Sequence, residues 1–303
     1  MSDTQLRSLA EQFEIPGMVA FTRVGELDLI EIASGWGTAR VLLQGALLLD
    51  WIPAGQPPVV WVSPQARFLA GKAPRGGVPV CWPWFGPHEA GADHPAHGIA
   101  RAASWNLIEI TPRPDGRVVL RFQLHRVASD WSHWPFDTPL HICYTLGETV
   151  EIEIVTRNAE TRPVSIGEAL HTYFGVSDIS QVCVAGLEDC AYVDKVDQGQ
   201  RKTQAGPVTF SSETDRVYLD TVADCVIDDP GYRRRIRIAK TGSQSTIIWN
   251  PWAEKAASMG DYAEGGYRHM VCVESGNALD DRVTLAAGDE HRLWVRYSVE
   301  PYV

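Results

Sequence analysis

Apolar and polar residues alternate with period two over several long runs of this chain. Arg117-Val-Val-Leu-Arg-Phe-Gln-Leu124 alternates over most of its length. Val150-Glu-Ile-Glu-Ile-Val-Thr156 sets Glu151 and Glu153 against Val150, Ile152 and Ile154. Arg235-Ile-Arg-Ile238 and Leu293-Trp-Val-Arg-Tyr297 repeat the theme. Successive side chains of a strand point to opposite faces, so these runs predict half-buried antiparallel strands. Turn signals separate them at Pro114-Asp-Gly116, Leu146-Gly-Glu148, Pro230-Gly231 and Ala287-Gly-Asp289.

A helical period occurs in two places. Residues 3–13 carry Leu6, Leu9, Ala10 and Phe13 on one stripe, with Ser2 or Asp3 available as N-cap. Residues 250–258 form the second candidate, with Asn250 as cap and Pro251 at the first helical position. Strands and helices do not alternate, which argues against a parallel α/β sheet. No internal repeat or composition break divides the chain. The reading is an all-β protein, one large antiparallel β-sandwich over residues 1–303, with 1–16 as an N-terminal helical extension.

With 45% hydrophobic and 21% charged residues the chain is an ordinary globular one. Its net charge of −11 changes the functional picture. Neutralising phosphates needs a surplus of Lys and Arg on one face, so nucleic acid and anionic membranes are excluded as partners. Even Tyr232-Arg-Arg-Arg-Ile-Arg-Ile238 alternates, as an exposed strand face would. Any anionic ligand must be small and met by a local cationic pocket. The N-terminus lacks the apolar stretch of a secretory signal, and no run reaches the ~18 apolar residues of a membrane span. The six cysteines are scattered without a CxxC pair, as in a reduced cytoplasmic protein.

Four segments carry candidate chemistry. Residues 74–87 are dense in Gly, Pro and Trp and suit a rigid loop, with Trp82, Trp84 and Phe85 as a ligand wall and Arg75 as a fixed cation. The alternative is a structural corner with Arg75 in a surface ion pair. Residues 88–97 hold His88, His94 and His97 with Glu89 and Asp93. A Gly/Pro-rich loop gives no periodicity that would converge metal ligands, so a metal site is disfavoured and Asp93 and His94 read as exposed. His171 stands alone among apolar and aromatic neighbours, where it is either a satisfied core histidine or a general acid. Glu274 follows Met270-Val-Cys-Val273, an apolar run that ends in the carboxylate before a turn. A carboxylate with both faces covered needs a partner and is a candidate base. No P-loop, GxGxxG or GxSxG is present, which disfavours ATP-dependent phosphotransfer, nicotinamide and α/β-hydrolase chemistry.

Six segments occur together in one order: RGGVPVCWPWFG (75–86), HGIAR (97–101), EALHTYF (168–174), DRVYLD (215–220), WNPW (249–252) with Asp261, and VCVESGN (271–277). In these the chain resembles the hexose-6-phosphate mutarotases, the glucose-6-phosphate 1-epimerase-like branch of the aldose 1-epimerase superfamily. The resemblance covers roughly residues 30–300. It implies a galactose mutarotase-like β-supersandwich that interconverts the α and β anomers of aldohexose 6-phosphates, an isomerase without cofactor or metal. By position it implies His171 as general acid and Glu274 as general base. It implies Arg75 and Arg101 as the grip on the phosphate, His97 beside the pyranose ring and Asp220 on sugar hydroxyls. A monomer is expected. Two alternatives accompany this reading, a plain aldose 1-epimerase for unphosphorylated sugars and a carbohydrate-binding sandwich without catalysis. Two fixed arginines argue against the first, and an acid–base pair against the second.

Overall fold

The computed structural model describes residues 3–91 and 93–302. In chain order helix α1 (Asp3–Phe13) is followed by β1 (Val19–Val24), β2 (Leu27–Ser34), β3 (Gly37–Leu42), β4 (Leu47–Pro53) and β5 (Val80–Cys81). Next come β6 (Trp105–Pro112), β7 (Val118–Leu124), helix α2 (Ala128–His133), β8 (Leu140–Leu146) and β9 (Thr149–Arg157). Six short strands follow: β10 (Val164–Ile166), β11 (Glu168–Leu170), β12 (Tyr173–Gly175), β13 (Cys183–Ala185), β14 (Ala191–Asp194) and β15 (Gln200–Thr203). Then come β16 (Thr214–Tyr218), β17 (Cys225–Asp229), β18 (Arg234–Thr241) and β19 (Ser245–Asn250). Helix α3 (Trp252–Ser258), β20 (Met270–Asn277), β21 (Val283–Leu285) and β22 (Glu290–Pro301) complete the order.

Two eight-stranded antiparallel sheets dominate. The outer one runs β13-β17-β18-β22-β9-β8-β7-β6. Its strands are the alternating ones of the sequence: β9 buries every second residue, and Ile152 and Ile154 pair with Val295 and Leu293 of β22. The inner sheet runs β15-β14-β16-β19-β20-β11-β5, with β12 also paired to β20. A four-stranded sheet, β1 to β4, is tied to this region by the bridges Leu48↔Val78, Trp51↔Val60 and Val60↔Phe174. The main core fills the space between the layers, where Phe122, Tyr144 and Ile154 meet Phe174, Val271 and Val273.

The centre of the inner sheet is covered on both faces. All eight residues of β20 are buried. Val271 and Val273 point into the main core, whereas Met270 and Cys272 join Tyr173, Trp249 and Tyr262 in a second cluster on the opposite face. Glu274 belongs to that second row, because strand side chains alternate with period two.

Three local expectations are corrected. The strand of Glu274 does not end there: it continues to Asn277, with Ser245↔Gly276 and Glu168↔Asn277 as pairs. Helix α3 starts at Trp252 rather than Pro251, because Asn250 still belongs to β19. The Asn250 Oδ1 nevertheless accepts the Trp252 N–H at 2.9 Å, so the capping role is kept from one step outside the helix. The short α2 is an addition to the expected elements. At α1, Ser2 lies outside the described residues. Asp3 opens the helix, and its carboxylate meets Arg23 at 2.8 Å. No helix among the described residues is long and apolar enough to cross a membrane.

Candidate active site

Strand register brings His171 and Glu274 together. Leu170 pairs with Ser275 and Tyr173 with Cys272, so the two residues between β11 and β12 fall opposite Glu274 and Val273. Alternation then sorts the side chains. Thr172 turns to the core, where its Oγ1 lies 2.6 Å from the Tyr297 hydroxyl. His171 turns to the other face, and its Nε2 lies 3.5 Å from Glu274 Oε1. The imidazole stacks on Tyr173 with ring centres 5.0 Å apart and meets the edge of Trp249 at 5.8 Å.

Burial sets the electrostatics of this pair. Desolvation pushes the Glu274 carboxyl well above its ordinary range; the Asp215 charge adds to the rise, while Lys195 and Arg101 oppose it. Desolvation also holds His171 well below its usual value, reinforced by His97, Arg101 and Arg75. Both shifts favour uncharged forms, as expected in a site with little water. Glu274 Oε2 and His171 Nδ1 are buried without a hydrogen-bond partner. Such atoms are costly when left unpaired, which sets this pair apart from the satisfied polar groups of the core.

The other expected residues divide. Arg75 lies beside the pair: one guanidinium nitrogen reaches the Tyr173 hydroxyl at 3.0 Å, and its Nε is 3.2 Å from both Asp261 carboxylate oxygens. The ion-pair alternative therefore holds in part, but the pair is half-buried at the site rather than on the open surface. Its position depends on Gly76, whose φ is +119° and where a Cβ would come within 2.5 Å of the Trp61 carbonyl oxygen. Arg101 stands on a single 3₁₀ turn, donates to the Ala96 carbonyl at 2.7 Å, and acts electrostatically on His97, His171 and Glu274.

His97 packs edge-on to His171 at 5.6 Å and to Phe85 at 4.9 Å. Its backbone is left-handed, with φ 64°, and burial beside Arg101 and Lys195 pushes its pKa down to about 3. A neutral imidazole held in a strained conformation is the kind of feature that marks a functional position.

Asp220 is not brought into this cluster. It is exposed, two residues past the end of β16, in a left-handed conformation. The acid that reaches the site from the same segment is Asp215. It pairs across β19 with Trp249, which pairs in turn with Cys272. Burial raises the Asp215 pKa, and Lys195 Nζ lies 3.9 Å from its Oδ1. Lys195 also covers the Phe85 ring at 4.9 Å. Asp215 falls inside the DRVYLD segment (215–220), whereas Lys195 carries no sequence signal.

The aromatic wall is also revised. Trp82 is fully buried in the main core and donates to Thr156 at 3.0 Å, and Trp84 is nearly so. Phe85 alone of the three borders the site, through His97 and Lys195. In the loop 88–97, Asp93 is exposed as expected but His94 is half-buried. The His88 and His94 rings stack at 4.1 Å, and His133 lies 5.2 Å from His94.

The geometry sets a buried histidine and carboxyl 3.5 Å apart with arginines in their electrostatic field. Comparison with known proteins gives that geometry a context. The aldose 1-epimerase family model matches residues 28–298. A protein of Escherichia coli K12, provisionally named a glucose-6-phosphate 1-epimerase, is 40% identical over 88% of this chain and 89% of its own. A protein of Salmonella typhimurium with the same provisional name is 39% identical over 84% of each chain. The crystal structure of YeaD from Salmonella typhimurium, provisionally described as a mutarotase, superposes with a TM-score of 0.89. It is 35% identical and covers 95% of this chain and 96% of its own.

Proposed function

The chain belongs to the aldose 1-epimerase family, and on that premise we propose that it interconverts the α and β anomers of aldohexose 6-phosphates, as a glucose-6-phosphate 1-epimerase. The observation that carries this reading is the buried His171–Glu274 pair, 3.5 Å apart, with Arg75 and Arg101 beside it.

Anomer exchange breaks the C1–O5 bond. Glu274 takes the proton of O1–H while His171 donates one to O5, and the pyranose opens to the aldehyde. Rotation about C1–C2 presents the other face. The reverse transfers then close the ring and return the proton to His171. The pair carries one proton between its two members throughout, and no electrons leave the sugar. Opening leaves a neutral carboxylic acid and a neutral imidazole, the forms that burial favours at both residues. A positioned acid and base each contribute ~10²–10⁴-fold.

The arginines account for the phosphate. A guanidinium presents a planar fork to phosphate oxygens and keeps its charge. In an acidic chain such cations focus a dianion at one place. Asp261 and Tyr173 hold Arg75 in orientation before the ligand arrives. Asp215, in place of Asp220, is the acid offered to sugar hydroxyls. The reading includes a monomer made of one sandwich domain and a cytoplasmic location, which six free cysteines support.

The test is NMR exchange between the anomers of glucose 6-phosphate, with free glucose in parallel. Catalysed exchange of the phosphate ester that is lost in Glu274→Gln supports the reading. Exchange of free glucose alone transfers it to a plain aldose 1-epimerase. Binding of either sugar without exchange would leave a carbohydrate-binding sandwich.

A further inference from the structure

We propose that His171, Cys272 and Glu274 together form a site for a thiophilic divalent cation, with Zn²⁺ as the type ion, which closes the reaction centre reversibly. One ligand atom from each of the three lies within 4.8 Å of the other two. His171 Nε2 and Glu274 Oε1 are 3.5 Å apart. A zinc ion about 2 Å from each, at a tetrahedral angle, spans roughly 3.3 Å. Bringing in the thiol needs a side-chain adjustment of about 1 Å, given a Zn–S bond of about 2.3 Å.

The fold puts the thiol where it is needed. Cys272 and Glu274 share one face of β20, two residues apart. Tyr173, on which the His171 ring stacks, pairs directly with Cys272. Cys272 and Glu274 are 0% and 1% exposed. The buried Glu274 Oε2 lacks a partner, so the carboxylate has acceptor capacity that the protein itself does not satisfy. Proton transfer to and from a sugar makes no use of the Cys272 thiol.

Donor type selects the cation. One imidazole, one thiolate and one carboxylate suit Zn²⁺ and similar borderline-soft ions, leaving a fourth position for water. Mg²⁺ and Ca²⁺ require several oxygen ligands, and this cluster contains a single carboxylate. The thiolate and carboxylate cancel the charge of the ion, so a pocket already holding Arg75 and Arg101 gains no net charge. The thiol proton and the one proton held by the His171–Glu274 pair both leave to solvent as the metal binds. The ion is an occupant that competes with the sugar, not a participant in ring opening. That consequence rests on His171 and Glu274 being the acid–base pair; the binding itself does not.

The experiment titrates metal-stripped protein with Co²⁺ as a spectroscopic probe and then with Zn²⁺. The expected result is a set of tetrahedral visible bands with a thiolate-to-cobalt charge-transfer band in the near ultraviolet. Zn²⁺ should displace both, and anomer exchange should fall in step with occupancy. Cys272→Ser should lose the charge-transfer band and weaken Zn²⁺ inhibition about 100-fold, measured against its own metal-free rate. His94→Ala, at the separate histidine cluster of the loop, should change neither. A wild-type protein without the charge-transfer band overturns the proposal. So does a band that survives in Cys272→Ser but vanishes in His94→Ala. If Cys272→Ser does not fold, saturating glucose 6-phosphate is added to the wild-type cobalt complex, and failure to displace the ion overturns the competition. A cobalt spectrum as expected, in a protein without anomer exchange, sustains the metal site and refutes the proposed activity instead.

Discussion

Strands β9 and β20 both carry glutamates, and the two environments differ in almost every respect. On β9 buried and half-buried residues alternate. Glu153 is 35% exposed and meets Arg292 at 3.3 Å, an ordinary surface ion pair. On β20 no residue is exposed, and Glu274 has a histidine rather than a cation as its nearest charged-type neighbour. The same side chain is a solubilising decoration on one sheet and the proposed base on the other. What separates them is whether the second face of the strand is covered, because burial is what shifts a carboxyl and gives it a use.

Substitution should expose that difference at its widest. Glu274→Gln keeps the shape and removes the proposed base, and its rate of anomer exchange should fall ~10²–10⁴-fold with the fold intact, as judged by NMR exchange and circular dichroism. A residual rate near wild type would remove Glu274 from the chemistry.

Glu168, on β11, extends the contrast to a buried carboxyl outside the reaction centre. Burial pushes its pKa up to about 8 and holds its neighbour His291, 3.4 Å away, below its usual value. The folded state therefore binds a proton that the unfolded chain releases near pH 4.5. The Glu168 contribution to stability should be full at and below that value and be lost as pH rises towards 8, by on the order of a few kcal/mol. Glu168→Gln should flatten that slope in urea titrations at a series of pH values. An unchanged slope would mean that Glu168 is ionised in the folded protein.

Arg75 tests the anion side of the inner sheet. Arg75→Ala should raise KM for glucose 6-phosphate by about 10- to 100-fold, the scale of one charge-assisted contact of 1.5–3 kcal/mol. The effect on free glucose should be much smaller, and equal effects would separate Arg75 from the phosphate. Glu153→Gln completes the series from the other side. Its stability should stay within about 0.5 kcal/mol of wild type, with unchanged exchange rates. A loss comparable to that of Glu274→Gln would dissolve the distinction between the strands.

The same contrast explains what was legible in the sequence. The outer sheet could be read because one of its faces is wet, so β9 and β22 print their alternation directly into residue order. The family resemblance covered the inner sheet as a whole, and Glu274 stood out because its neighbours are continuously apolar. Local reasoning then lost resolution. Asp215 and Asp220 bracket one apolar run, and only the pairing of β16 with β19 decides which of them faces Trp249. Lys195 lies in the mixed stretch Val193-Asp-Lys-Val-Asp197 and enters the site because it continues β14 past the end of its ladder, opposite Asp215. Trp82 and Trp84 looked like a wall for a ligand because a Gly/Pro-rich loop is ordinarily on the surface, yet here the loop dives under the sandwich and both rings fill the core. The distance between His171 and Glu274 is a property of register, which composition does not encode.

The place of β22 has a further implication for how this molecule comes into being. It is synthesised after both strands it pairs with, and it lies in the interior of the outer sheet, between β18 and β9. While the chain is emerging, those two neighbours are raw edges with nothing to join, the kind of surface on which aggregation starts. The sandwich cannot close by growing outward from its first hairpins; it must wait for a late strand to be threaded into the middle. Such long-range pairing is intrinsically slow. A nascent chain of this protein is therefore expected to depend on holding factors until β22 is free, and stalled or C-terminally nicked copies should be the ones that cells clear.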